Sequence, residues 1–141
     1  MGNMRRPYSF RHDFKNRTMT RMLNIIKTYW RILTVATLVA ITFLSLWPLE
    51  QLPSVPGTDK THHLIAYACL MFPAALRKPK NWLLLGVLFI AYSGTIELIQ
   101  PYVNRYGEWL DMAANSTGVV CGALAAGLVN LLLPGRRNVS A

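Results

Sequence analysis

Residues 109–133 read WLDMAANSTGVVCGALAAGLVNLLL. Roughly 17 to 25 apolar residues carry an α-helix across the ~30 Å hydrocarbon core of a bilayer, and this stretch has that length with a single charge, Asp111, near its start. Ala114, Gly118, Gly122 and Ala126 recur every four residues and share one helix face, a stripe that lets another helix approach closely. The stripe predicts that this helix sits centrally among its neighbours or forms a face for a partner helix or a second copy of the chain.

Working outward, three more apolar stretches appear at 32–47, 63–76 and 82–100, the second reaching spanning length when counted from Asp59. Short segments rich in Pro, Gly and charge separate them. Across 141 residues, 52% hydrophobic content with 15% charged residues is unusual for a soluble domain of this size. The expected fold class is therefore all-α, an integral membrane four-helix bundle preceded by a basic N-terminal segment, with a lead at 1–30, a membrane domain at 31–135 and a tail at 136–141.

The net charge of +9 invites a nucleic-acid reading, but the basic residues are sorted by connection. Arg5, Arg6, Arg11, Lys15, Arg17, Arg21, Lys27 and Arg31 precede the first span. Arg77, Lys78 and Lys80 lie between the second and third, and Arg136 and Arg137 follow the fourth. Only Lys60 and Arg105 fall in the other two connections. By the positive-inside rule both termini and the middle connection are cytoplasmic, in a multi-pass protein with no nucleic-acid partner. The acids sort the opposite way: Glu50, Asp59, Glu97, Glu108 and Asp111 fall at the outer face, and Asp13 alone does not. Trp30, Trp47, Trp82 and Trp109 stand at span ends, as rings that favour the membrane interface do.

The lead is too long and lacks the small-residue site of a cleaved signal peptide, and MGNMRR has Arg6 where a myristoylation signal needs Ser or Thr. Met19, Met22, Leu23 and Ile26 at helical spacing predict a basic amphipathic helix on the inner leaflet, against the alternative of a disordered basic lead. The connection LEQLPSVPGT predicts an irregular outer loop ending at Thr58, the N-cap of the next helix. Cys69 and Cys121 are expected as small apolar fillers, not as a disulfide or zinc site.

Asp59, His63 and Tyr67 step by four and share a helix face, with Lys60 beside it; Glu97 and Gln100 share a face with Ser93, and Asp111 and Asn115 another with Gly118. All fall in the outer part of their helices. An ionisable group in a span costs about 2.5 to 3.5 kcal/mol on insertion scales, so such groups face the protein interior and find partners. Glu97 ends an outward-running helix, where the dipole disfavours a carboxylate, and it requires a proton or a cation such as Lys60 or Arg105. Mutual satisfaction that merely fixes packing is one account of this set. A functional pocket accounts for more of it. His62 faces away from the Asp59 face.

The order DKxxHxxxY, then ExxQ, then RxxxxxD followed by xxxNxxG, resembles the VanZ-like family of small bacterial membrane proteins. Here it runs through Asp59, Lys60, His63 and Tyr67, then Glu97 and Gln100, then Arg105, Asp111, Asn115 and Gly118. The resemblance covers 46–133 and not the basic lead. It implies a place in the bacterial cytoplasmic membrane and a cell-envelope role, in a family named for a protein associated with glycopeptide resistance.

Three chemistries fit the outer pocket. In an enzyme acting on a lipid headgroup, His63 oriented by Asp59 serves as base or nucleophile and Glu97 as the acid, while Lys60 and Arg105 hold a phosphate or carboxylate. In a binding or accessory protein the same cations, with Gln100, Asp111, Asn115 and Tyr67, hold an anionic lipid or a cell-wall precursor. A metal set of His63, Asp59, Glu97 and Asp111 would suit Mn or Zn better than Cu. Its spacing matches no established metal motif, so no metal is expected and no cofactor is named.

Overall fold

A computed structural model describes residues 8–47 and 58–133, with side chains from Thr18 onward. The connection 48–57, residues 1–7 and the tail 134–141 lie outside the described residues, as do the loop and tail expectations that fall on them. The described residues form α1 (Tyr8–Thr28), α2 (Trp30–Leu46), α3 (Asp59–Arg77), α4 (Trp82–Ile99), a 3-10 turn (Gln100–Val103) and α5 (Trp109–Leu132). The apolar stretches set these bounds to within a few residues. Trp30, Trp82 and Trp109 open their helices, and Trp47 follows the end of α2.

Helix α3 shows why the boundaries fall where they do. The Thr58 hydroxyl accepts the backbone N–H of Thr61 and caps the helix, and Asp59 in the first turn complements the dipole. At the other end Lys78 takes the left-handed conformation, φ 51°, and its N–H returns to the Ala74 carbonyl, which stops the helix. Within the described residues the lead is helical over Tyr8–Thr28. Leu23 and Ile26 pack on the core while Met19, Met22 and Ile25 stay exposed, so the expected apolar face is divided between protein and surroundings. At Tyr29 the axes of α1 and α2 part by 71°.

Three levels of contact hold the helices together. At one end the Lys27 ammonium donates to Asn130 Oδ1 (2.8 Å), and Asn130 Nδ2 donates to the Leu76 carbonyl (3.1 Å), which ties the C-terminal ends of α1, α3 and α5. Midway, Thr42 and Tyr92 share a hydrogen bond between α2 and α4. At the far end Gln100 Nε2 donates to the Ser45 carbonyl (3.2 Å), and Arg105 Nη1 donates to those of Leu44 (2.9 Å) and Trp47 (3.4 Å). These last bonds satisfy carbonyls that the C-terminus of α2 would leave orphaned. Successive helices from α2 to α5 therefore run in opposite directions.

The α3–α5 contact is the most extensive in the molecule, and the small-residue stripe explains it. A Cβ on Gly118 would lie 2.3 Å from the Leu64 carbonyl oxygen, and one on Gly122 2.3 Å from that of Ala68. Only glycine permits this approach. The helix that meets Gly118 and Gly122 is α3 of the same chain, so this part of the stripe serves packing within the molecule, and Ala126 is buried as well. Cys69 and Cys121 are exposed on the helix flanks and do not fill the interior.

Two helical stretches, Trp82–Val103 and Trp109–Leu132, are long and apolar enough to cross a membrane, and the bent pair Thr18–Thr28 with Trp30–Leu46 supplies a third by length and composition. Polar first turns and the terminal Arg77 keep α3 below that test. Large apolar residues on the outer flanks of α2, α4 and α5 are exposed, among them Ile32, Val39, Leu83, Val87, Leu124 and Leu131, as hydrocarbon-facing surface requires. Among the described residues the regular structure is all helical, with two to three candidate membrane spans; of the expected four, neither α3 nor the 17-residue α2 by itself meets the test.

Candidate functional site

The polar residues converge where α3 and α5 begin and α2 and α4 end. Helical period puts Asp59, His63 and Tyr67 on one face of α3, and Gly118, one turn beyond Asn115, seats α5 closely enough for Asp111 and Asn115 to meet that face.

His63 lies at the centre. Its Nδ1 is 3.1 Å from Asn115 Oδ1, and Asn115 Nδ2 donates to Ser93 Oγ (2.7 Å). With the amide oxygen turned to the ring, Nδ1–H is the donor to Asn115, and in that tautomer the lone pair lies on Nε2. That nitrogen is 3.8 Å from Asp59 Oδ2 and 3.8 Å from Asp111 Oδ2, beyond hydrogen-bonding distance of either. Tyr67 is buried more deeply, with its hydroxyl toward Ser93 and no hydrogen bond of ordinary geometry. It is a core residue rather than an interfacial ring.

Asp111 is buried in the first turn of α5, while Asp59 is exposed at the mouth. The Lys60 ammonium bonds Glu108 Oε2 (2.9 Å) and stands 3.6 Å from Asp111 Oδ1. Lys60 and Glu108 are about half exposed, so solvent screens the attraction between them.

Of the proton or cation expected for Glu97, neither Lys60 nor Arg105 supplies the cation. Its Oε2 accepts the backbone N–H of Glu108 (3.0 Å), the N-cap of α5, and its Oε1 is buried without a hydrogen bond. The carboxylate that the C-terminus of α4 would disfavour is stabilised by the N-terminus of α5. Gly107 makes this possible, since a Cβ there would stand 2.3 Å from the Glu97 carbonyl oxygen. Arg105 and Gln100 are buried in the α2 end, their bonds directed to its carbonyls. The Lys60 ammonium thus meets the carboxylates of Glu108 and Asp111, Glu97 joins Glu108 through its backbone N–H, and Arg105 is turned to α2.

Below this cluster a cleft of about 500 Å³ runs between α4 and α5, lined by Ala91, Gly94, Leu98, Trp109 and Met112, with Glu97 and Glu108 also on its wall. Tyr102, Tyr106 and Trp109 are almost fully exposed around this end, as in an interfacial aromatic belt.

Of the expected site residues, the structure brings together Asp59, Lys60, His63, Asp111 and Asn115, and it places Tyr67 beneath them. Glu97 is held apart from the three residues Asp59, His63 and Asp111, whose ligand atoms all lie within 4.8 Å of one another. Sequence reasoning missed Glu108 as a site residue, although it partners both Lys60 and Glu97. Its outward position was legible, but no spacing rule pairs residues 48 positions apart. Ser93 was placed on the right face without its bond to Asn115.

Comparison with known proteins gives one match. No curated protein and no solved structure is similar to this chain. The sequence model of the VanZ/LLP1 family matches residues 4–130, so the family likeness takes in the basic lead that the spaced motifs left out. The chain belongs to the VanZ/LLP1 family.

Proposed function

We propose that this protein is a four-span, multi-pass component of the bacterial cytoplasmic membrane, with both termini inside, whose outward end binds the polar head of an envelope lipid or lipid-linked cell-wall precursor. In this arrangement α2 and α3 are the spans that do not stand alone, α2 being continued by the bent α1 and the polar face of α3 being covered by α5. One observation carries the reading. Glu97, with a buried oxygen that makes no hydrogen bond, lies on the wall of an apolar cleft and within electrostatic reach of His63, Asp59 and Asp111. A groove that is apolar along its length and polar at its mouth is complementary to an amphiphile, with the acyl chain against Leu98 and Met112 and the head among the charged residues.

The role in glycopeptide resistance belongs to this proposal through family membership. Deleting the gene is expected to change glycopeptide susceptibility, and unchanged susceptibility would remove that part of the reading.

Native mass spectrometry of the purified protein tests lipid binding. One lipid class should be retained above its share of the membrane and depleted in His63→Ala and Glu97→Gln. Retained lipids that mirror the bulk membrane in wild type and variants alike would refute the proposal.

A further inference from the structure

The mouth of the pocket carries more negative charge than its own cations offset. Two features there point to a ligand. The first is His63, whose Nδ1–H is engaged by Asn115 so that Nε2 presents a lone pair between two carboxylates, 3.8 Å from an oxygen of each. The second is Asp111, whose side chain is 4% exposed; Oδ2 faces Nε2, and Oδ1 is buried with no hydrogen bond. Burying this carboxylate is costly, and the half-exposed Lys60 ammonium, hydrogen-bonded to Glu108 and 3.6 Å from Oδ1, offsets that cost only in part.

Distance separates this arrangement from a hydrogen-bonded network. Hydrogen-bonded N and O atoms stand about 2.7 to 3.2 Å apart, and each His63–carboxylate separation exceeds that range. Two ligands each about 2.1 Å from a tetrahedral ion stand roughly 3.4 Å from one another. Small side-chain rotations convert the observed spacing to that value, whereas a direct hydrogen bond to both acids at once would leave Nε2 with more acceptors than it can serve.

We infer that Asp59, His63 and Asp111 form a binding site for one divalent cation of the zinc or manganese class, with His63 Nε2, Asp59 Oδ2 and Asp111 Oδ2 as its protein ligands. One imidazole and two carboxylates suit these borderline-hard ions and offset the 2+ charge. Asn115 is the outer partner that fixes the ligating nitrogen, and Ser93 in turn orients Asn115. Lys60 keeps its bond to Glu108 and meets Asp111 through Oδ1, the oxygen the ion does not use. Asp59 is 57% exposed, so the ion enters from the aqueous side and keeps open positions there. Those positions could take a phosphate oxygen of a lipid head; that step rests on the lipid-binding proposal, and the ion site does not.

The test uses the full chain in detergent micelles, stripped with chelator and titrated with Zn²⁺ and with Mn²⁺. One ion should bind per chain, and affinity should fall by at least about tenfold in His63→Ala and in Asp111→Asn, with no change in His62→Ala. X-ray absorption of the zinc-loaded wild type, which does not depend on any variant folding, should show one imidazole with otherwise oxygen ligands. A coordination shell with a thiolate or several imidazoles, absence of stoichiometric binding, or binding that survives both ligand substitutions would overturn the site. Lipid retention is read separately, so specific lipid binding without an ion, or the reverse, distinguishes the two proposals.

Discussion

Asn115 Oδ1 lies 3.1 Å from His63 Nδ1, so a residue of α5 decides which nitrogen of an α3 imidazole is free. Asn115→Leu keeps the volume of the side chain and removes both of its hydrogen bonds, leaving Ser93 and His63 buried without their partner. Interhelical hydrogen bonds in membranes contribute about 0.6 kcal/mol on average and up to ~1.7, so a loss of roughly 1 to 2 kcal/mol is expected in denaturant titrations in micelles. Nitrogen NMR of the ring should move from a single Nδ1–H tautomer to a mixture. A ring that stays fixed in Asn115→Leu would remove Asn115 from its assigned role.

The two glycines that face α3 give a prediction with an internal control. Gly118→Ala and Gly122→Ala each push a methyl to within 2.3 Å of a backbone carbonyl that cannot turn aside, so α3 and α5 must separate. A cost of about 2 kcal/mol or more is expected, the upper range for overpacking. Gly127→Ala, with nothing within 4 Å of its new methyl, should be neutral or stabilising by up to about 1 kcal/mol from helix propensity. Equal melting temperatures for the three variants would contradict the close approach of these helices.

The limits of sequence reasoning follow the same division between local and non-local causes. Helix positions, the Thr58 cap and the shared face of Asp59, His63 and Tyr67 were legible, because period and capping act within a few residues. The meeting of Asp111 with His63 was legible only as convergence at a common depth. Partners across helices were not. Glu97 was expected to need a proton or a cation because its own helix dipole was considered, while the N–H that it accepts belongs to the start of α5, brought near by Gly107. Arg105 was assigned an anionic ligand, yet its hydrogen bonds close the end of α2, a need set by burial of carbonyls that no sequence pattern displays.

Arg105 therefore has a structural consequence that can be measured. Arg105→Gln removes a charged donor from the carbonyls of Leu44 and Trp47, and hydrogen bonds from charged groups contribute about 1.5 to 3 kcal/mol. The variant should lose stability in that range, and hydrogen exchange should accelerate in the last turn of α2. Arg105→Lys should recover only part of the loss, since one ammonium replaces a fixed planar donor set. Stability unchanged in both variants would show that the end of α2 does not depend on this guanidinium.

The orientation of the chain sets the side on which all of this chemistry takes place. Arg77, Lys78 and Lys80 cluster where α3 ends and α4 begins, at the same end of the molecule as Lys27, while Asp59, Glu97, Glu108 and Asp111 gather at the opposite end. Positive charge near span ends is retained in the cytoplasm, so the acidic end should face outward. Cys69 and Cys121 must first be replaced by alanine because both are exposed on helix flanks. In that background, a membrane-impermeant thiol reagent applied to intact cells should label Pro56→Cys and should reach Asn81→Cys only after permeabilisation. The reverse pattern would turn the pocket to the cytoplasm, where an envelope lipid head of the outer leaflet could not reach His63, and would remove the basis of the proposed function.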